Sequence, residues 1–249
     1  MIGSSPITLN TQPQLIDLTE GIYEVPLEHV AILKKANIQH TFLDRLILPG
    51  PLASLSPAQI IAINRFRERE RGSDAQFRKA EDARRTMLST LRHVSAENLV
   101  EVGMGKYPLQ MDLDLTSYFG LDIDPEAIKY CQDQGIDAGT YQPLPAIYDC
   151  AAAVFSMHFA ITASQLTLLS EALTHDGLLI AVVIDDESGG FADMMAKLSP
   201  FFTASQVVLH PAHRRERWVV CSKDSGAPRR SAAYAHLNQQ LAAALSATD

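Results

Sequence analysis

Two glycines and an acid set the chemistry this sequence can do. The segment Leu99-Val100-Glu101-Val102-Gly103-Met104-Gly105 is a largely apolar strand that runs directly into a glycine turn. Glycines there let a ligand approach the backbone closely, at the carboxyl ends of strands where open α/β sheets bind ligands. A second strand, Tyr118-Phe119-Gly120-Leu121-Asp122, ends in an acid about twenty residues later, the distance at which a carboxylate can take ribose hydroxyls. Together they describe a nucleoside site. Asp124 stands before Pro125 and suits a helix cap, so Asp122 is assigned to ribose and Asp124 to the cap. Glu101, Thr140 and Phe155 complete the expected binding set with Gly103, Gly105 and Asp122.

The ligand follows from what the turn lacks. A nicotinamide dinucleotide would want a third glycine, but Pro108 holds that place and no pyrophosphate cradle is evident. S-adenosylmethionine carries no phosphate and needs none, so it is the expected cofactor, its sulfonium over the glycine turn. Three side chains are candidates for chemistry. Tyr107 could stack on the sulfonium, since aromatic faces attract cations, or be a packing tyrosine. His158 follows the strand that ends at Phe155 and could act as a base or bond a neighbouring loop. Glu81 could take a proton from an attacking amine or be a solvated helix glutamate. Thr140 falls where many methyltransferases carry an adenine-binding acid, so adenine recognition is expected to rest on backbone and apolar contacts.

The elements that must hold these residues are legible as periodicities. Residues 1 to about 20 show no sustained period and read as an arm. Three helical segments are predicted next: Leu27 to Leu48, Ser56 to Gly72 with Ser56 as N-cap and Pro57 at the first helical position, and a third from Asp74. Strands follow at Asn98–Val102, Tyr118–Asp122, a short one at Ile136–Gly139, Cys150–Phe155 and Leu178–Ile184, with helices at Pro125–Gln134 and Ser164–Leu173. The last two strands, Gln206–His210 and Arg217–Ser222, are joined too tightly to be parallel and form a hairpin, which His210 would fix. The fold class is α/β, a Rossmann-like sheet closed by an antiparallel hairpin, as in class I methyltransferases. Residues 1–94 read as an arm and helical lid, 95–223 as the cofactor-binding unit, and 224–249 as a peripheral helix or disordered tail.

Composition narrows the partners. A net charge of −8 argues against a broad phosphate-binding surface, which leaves a small molecule as the expected substrate and no nucleic acid. The alternating charges from Arg65 to Arg71 read as a solvated helix face with ion pairs at three-residue spacing. Cys131, Cys150 and Cys221 show neither metal-ligand nor disulfide spacing, so a reducing, cytoplasmic compartment and no metal are expected. Neither a leader nor a membrane span is expected. The sequence sets no oligomeric state.

The segment Val102-Gly103-Met104-Gly105-Lys106-Tyr107-Pro108-Leu109 resembles the Val-Gly-Ser-Gly-x-x-Pro-Leu turn of the nicotianamine synthases and related bacterial opine-metallophore enzymes. Asp122-Ile123-Asp124-Pro125, Leu55-Ser56-Pro57 and Leu209-His210-Pro211, with Val219-Val220 and Lys223, are similar to further segments of that family, over residues 52 to 223. The resemblance implies transfer of the 3-amino-3-carboxypropyl group of S-adenosylmethionine to the amine of a small amino acid, releasing methylthioadenosine. The family's Arg-Ser-Ala-His segment is replaced here near Ile184-Asp185-Asp186-Glu187, without an arginine. Without an external acceptor, the cofactor's own amine could close azetidine-2-carboxylate. A small-molecule methyltransferase and a non-catalytic cofactor-binding protein are the remaining readings.

Overall fold

The chain first builds a small antiparallel sheet from β1 (Ile16–Thr19), β2 (Ile22–Glu24), β3 (Thr41–Leu43) and β4 (Leu46–Leu48), in the order β1-β2-β4-β3. The structure, a computed structural model, describes residues 16–19, 21–26, 29–31, 41–43, 45–50, 54–71, 73–159, 161–185 and 190–246. The expected helix over Leu27–Leu48 is therefore corrected: residues 41–43 and 46–48 are strands, and 29–31 alone are helical among those described. Leu46, Ile47 and Leu48 are all buried, so this strand carries no polar alternation by which to recognise it. Part of the expected arm is likewise strand β1, paired to β2 through a turn in which Gly21 has φ +86°.

Helix α1 (Pro57–Arg71) packs on this sheet, with Ile22, Leu46, Leu48, Leu55, Ile60, Ile63 and Phe66 forming one apolar cluster. Its start is doubly satisfied. The Ser56 Oγ accepts from the Gln59 N–H (3.3 Å) while the Gln59 Oε1 accepts from the Ser56 N–H (2.8 Å), a capping box. Several charges of α1 reach beyond the helix. Arg65 reaches Glu126 (2.9 Å) and Asp124 (3.6 Å), Glu68 meets Lys106 (3.3 Å), Arg69 meets Glu24 (2.6 Å) and Glu70 meets Arg45 (2.6 Å). The helix is thus tethered both to the small sheet and to Lys106 and the Asp124–Glu126 segment.

After α2 (Ser73–His93) come β5 (Asn98–Val102), β6 (Ser117–Leu121), α3 (Pro125–Asp133), β7 (Ala138–Gly139), β8 (Tyr148–Val154), α4 (Ala163–Ala172), β9 (Leu173–Ile184), α5 (Gly190–Leu198), β10 (Ala204–Leu209), β11 (Glu216–Ser222) and α6 (Pro228–Ser246). The sheet order is β10-β11-β9-β8-β5-β6-β7, parallel throughout except that β11 is antiparallel to both its neighbours. This is the Rossmann-like class I methyltransferase arrangement. The central stretches of β5 (99–102), β8 (150–153) and β9 (178–183) are buried throughout, because helices cover both faces of a parallel sheet.

One face packs on α2 and α6, burying Met87, Leu91, Trp218, Val220, Leu237 and Leu241; the other packs on α4 and α5, burying Leu166, Leu169, Met194 and Leu198. Helix α5 was not anticipated. Nor is the segment after residue 223 peripheral: Ala233, Leu237 and Leu241 of α6 recur every four residues and enter the same core as α2. Cys131, Cys150 and Cys221 are buried free thiols. Among the described residues no three metal-ligating side chains converge, and no helix is long and apolar enough to cross a membrane.

Candidate functional site

Strand β5 ends in a turn shaped by two left-handed glycines, Gly103 (φ +71°) and Gly105 (φ +58°). They are required for different reasons. A Cβ on Gly103 would lie 2.3 Å from the Ser156 Cβ, so the loops after β5 and β8 approach too closely for any side chain. A Cβ on Gly105 would meet nothing within 4 Å, and only its backbone conformation calls for glycine. The Ser156 Oγ closes the step by donating to the Val102 carbonyl at 2.5 Å.

Asp122 follows β6 directly and ties that strand end to the turn. Its Oδ2 accepts from the Gly105 N–H and its Oδ1 from the Asp124 N–H, both at 2.9 Å. The residue is 9% exposed, and burial raises its pKa against the opposing effect of these backbone donors. The Ile123 N–H also favours the charged form, and of a carboxylate's roughly four acceptor positions at least one is left for a ligand's hydroxyls. Asp124 takes the other role: its carboxylate accepts from the Glu126 N–H (2.9 Å) as the N-cap of α3, with Pro125 behind it.

These residues open onto a cavity of about 930 Å³ along the carboxyl ends of the strands. Gly103, Gly105, Asp122 and Tyr141 line it near β5 to β7, and Phe155, Ser156 and His158 line it after β8. Ile60, Asn64 and Arg67 of α1, with Ala80 of α2, form the roof; the β10–β11 loop from Ala212 to Glu216 closes the far end. The volume lies within the usual range for small-molecule sites. Phe155 enters with φ +53°, a conformation a non-glycine residue adopts only at a cost, and its N–H is held by the Val182 carbonyl (2.8 Å).

The expected site residues are thus only partly brought together. Gly103, Gly105, Asp122, Phe155 and His158 line the cavity, and the His158 ring lies 4.4 Å from that of Phe159. Glu101 does not line it. It is 1% exposed and its Oε2 accepts from the Leu109 N–H (2.7 Å) and the Tyr118 hydroxyl (2.8 Å), with Arg84 4.0 Å from Oε1. Burial pushes its pKa up to about 7, so Glu101 braces the loop after the glycine turn from behind. Thr140 is exposed and outside the cavity, whereas its neighbour Tyr141 lines it; burial and the charge of Asp122 raise the Tyr141 pKa. Glu81 is exposed on α2 beside the lining residue Ala80, and Tyr107 is half-buried away from the lining.

Sequence reasoning missed Ser156, Tyr141, Asn64, Arg67 and the arginines of the hairpin loop. Tyr141 and Ser156 each adjoin a strand end already recognised, and that position was the available signal. Asn64 and Arg67 lie on the same face of α1 as the buried Ile60 and Ile63, three or four residues apart. Lys106 and Arg84, near the turn, act through carboxylates and not at the cavity.

No protein-family model matches this chain, and no curated protein does. Solved structures are similar in fold. A TehB-like SAM-dependent methyltransferase from Corynebacterium glutamicum is 14% identical, with 56% of this chain and 88% of that one covered at a TM-score of 0.46. A SAM-dependent methyltransferase, possible histamine N-methyltransferase, from Thermotoga maritima is 17% identical over 65% and 98% (TM-score 0.46). N-methyltransferase NodS from Bradyrhizobium japonicum, in complex with S-adenosyl-L-homocysteine, is 11% identical over 56% and 87% (TM-score 0.42). The likeness is one of fold, and nothing in these comparisons singles out the nicotianamine synthases.

Proposed function

We propose that this chain binds S-adenosylmethionine and transfers a group from its sulfonium to a small-molecule acceptor, with methyl transfer as the leading reading. The observation that carries the binding is Asp122, held at the cavity mouth by two backbone N–H groups with acceptor capacity left over, beside a turn that lacks side chains. In this reading Asp122 takes the ribose hydroxyls, Tyr141 and Ile123 flank the adenine, and Gly103 and Gly105 let the methionine arm lie against the backbone. Residues 95–223 form the cofactor-binding unit and the preceding layer roofs it.

When bound, the sulfonium supplies an electrophilic carbon and a neutral thioether leaving group. The protein's part is position: the acceptor must stand in line with the carbon attacked, and catalysis comes mainly from that alignment under a roof that excludes water. In this reading His158, which lines the space beyond the turn, takes a proton from an amine or hydroxyl acceptor. Glu81, exposed on α2, is not among the residues lining the cavity.

A second reading, transfer of the 3-amino-3-carboxypropyl group, is favoured by the Pro108-Leu109 and His210-Pro211 segments and by nothing in the comparisons. Incubation with cofactor labelled separately in its methyl and carboxypropyl carbons distinguishes them. S-adenosylhomocysteine as coproduct supports methyl transfer. Methylthioadenosine with an acceptor supports the second reading, and methylthioadenosine without one indicates ring closure. Binding with no turnover across an acceptor panel would overturn the catalytic proposal, and absence of cofactor binding would overturn the whole of it.

A further inference from the structure

The cavity is polarised. Its nucleoside end holds the acid Asp122, whereas its far end collects Arg214 and Arg215 from the hairpin loop, with Arg67 on the roof between. Guanidinium groups gathered in one cavity of a chain with net charge −8 stand out from its overall balance. Glu216 is buried and its Oε1 accepts from the Trp218 Nε1–H at 2.7 Å, while Asp185 pairs with Arg217 at 3.2 Å.

The loop carrying these arginines is also shaped in advance. The Nδ1 of His210 accepts from the N–H groups of both Ala212 (3.1 Å) and His213 (3.0 Å), and the Glu216 N–H donates to the His213 carbonyl (2.8 Å). The Asp185 N–H donates to the Arg215 carbonyl at 2.7 Å, which fixes the loop to the end of β9. Side chains on a loop tied this way are held over the cavity at a reduced cost in conformational entropy.

We infer that the hairpin end of the cavity, through Arg214, Arg215 and Arg67, binds an oxyanion, carboxylate or phosphate, carried by the acceptor. Guanidinium forks match both groups bidentately. The glycine turn follows β5, and β11 lies three strands away across β8 and β9, about 14 Å at ordinary strand spacing. The carboxylate carbon of the cofactor is four bonds from its sulfur, about 6 Å at roughly 1.5 Å per bond, which assigns the far anion site to the second substrate. This inference rests on the cofactor reading above only for what occupies the near end.

The test uses the full chain saturated with S-adenosylhomocysteine and follows binding of succinate, inorganic phosphate and neutral succinamide by ligand-observed NMR. Succinate or phosphate is expected to bind and succinamide not. Arg214→Gln with Arg215→Gln, and Arg67→Gln separately, should weaken the anion about tenfold or more while the affinity for S-adenosylhomocysteine stays within about twofold. Unchanged anion binding in every variant overturns the assignment. An equal loss of S-adenosylhomocysteine affinity also overturns it, since the arginines would then hold the cofactor's own carboxylate. If S-adenosylhomocysteine fails to bind the wild-type chain, the same titrations without it decide the anion site, and the two readings fail separately. Circular dichroism of each variant shows whether the fold is retained, and Arg214→Lys, which keeps charge without the fork, should recover part of the affinity.

Discussion

Asp122 joins two roles that a single substitution would confuse, and the geometry says how to part them. Its oxygens accept the Gly105 and Asp124 N–H groups at 2.9 Å, so Asp122→Ala strands two backbone donors. At about 1–3 kcal/mol for each donor left unsatisfied, and with water able to reach the cavity side, stability should fall by about 2–4 kcal/mol. Loss of the ribose contacts costs a further 1.5–3 kcal/mol or so in binding, about tenfold or more in Kd. Asp122→Asn keeps the shape and one acceptor oxygen and is the better probe. The decisive assay is a cycle by titration calorimetry, with wild type and Asp122→Asn each measured against S-adenosylhomocysteine and its 2′,3′-dideoxy counterpart. Removing the hydroxyls should cost wild type about tenfold or more and the variant little. An equal ratio in both proteins would refute the ribose assignment, whatever the variant's stability.

Asp124→Ala should lower stability by about 1 kcal/mol through loss of the α3 cap and leave cofactor affinity largely intact, as read by thermal unfolding and calorimetry. Glu101 has a folded pKa near 7 against an ordinary value of 4.5, so its stabilising contribution is complete below about pH 4.5 and is lost as pH rises through about 7. That loss is on the order of 3 kcal/mol, and Glu101→Gln should flatten the Tm profile between pH 5 and 8, on the order of that loss; parallel profiles would show that Glu101 is already ionised in the fold. A Cβ on Gly120 would lie 2.0 Å from the Met104 Sδ, so Gly120→Ala should destabilise by about 1–3 kcal/mol, and Met104→Ala in the same chain should restore part of it in denaturant melts.

What could be read in advance divides along physical lines. Strands β5, β8 and β9 announce themselves because a parallel sheet buried on both faces needs short, mostly apolar runs, and Gly103, Gly105 and Asp122 because turn geometry and ribose chemistry restrict those positions. The small sheet was hidden: its strands are three or four residues long, and Leu46-Ile47-Leu48 is buried throughout, so neither length nor alternation separates it from a helix. The cavity's other half was hidden for a different reason. Arg67, Tyr141, Ser156 and Arg214 come from four elements, and their convergence is a property of sheet order and roof placement that no local spacing carries. Glu101 illustrates the converse, since a strand acid beside a glycine turn reads as a ligand until its partners, Leu109 and Tyr118, are seen behind the loop.

Helix α6 has a bearing on how the molecule is made. It covers the sheet face that holds Val208, Trp218 and Val220 and meets α2, whose residues precede it by well over a hundred positions. Every strand is synthesised before this cover exists, so the nascent chain passes through a stage in which α2 alone is available to cover that face. Contacts of such long separation form late, and a face open in the interval is a site for self-association. Substitutions at Leu237 or Leu241 should therefore reduce soluble yield more than their effect on the finished protein's stability would suggest.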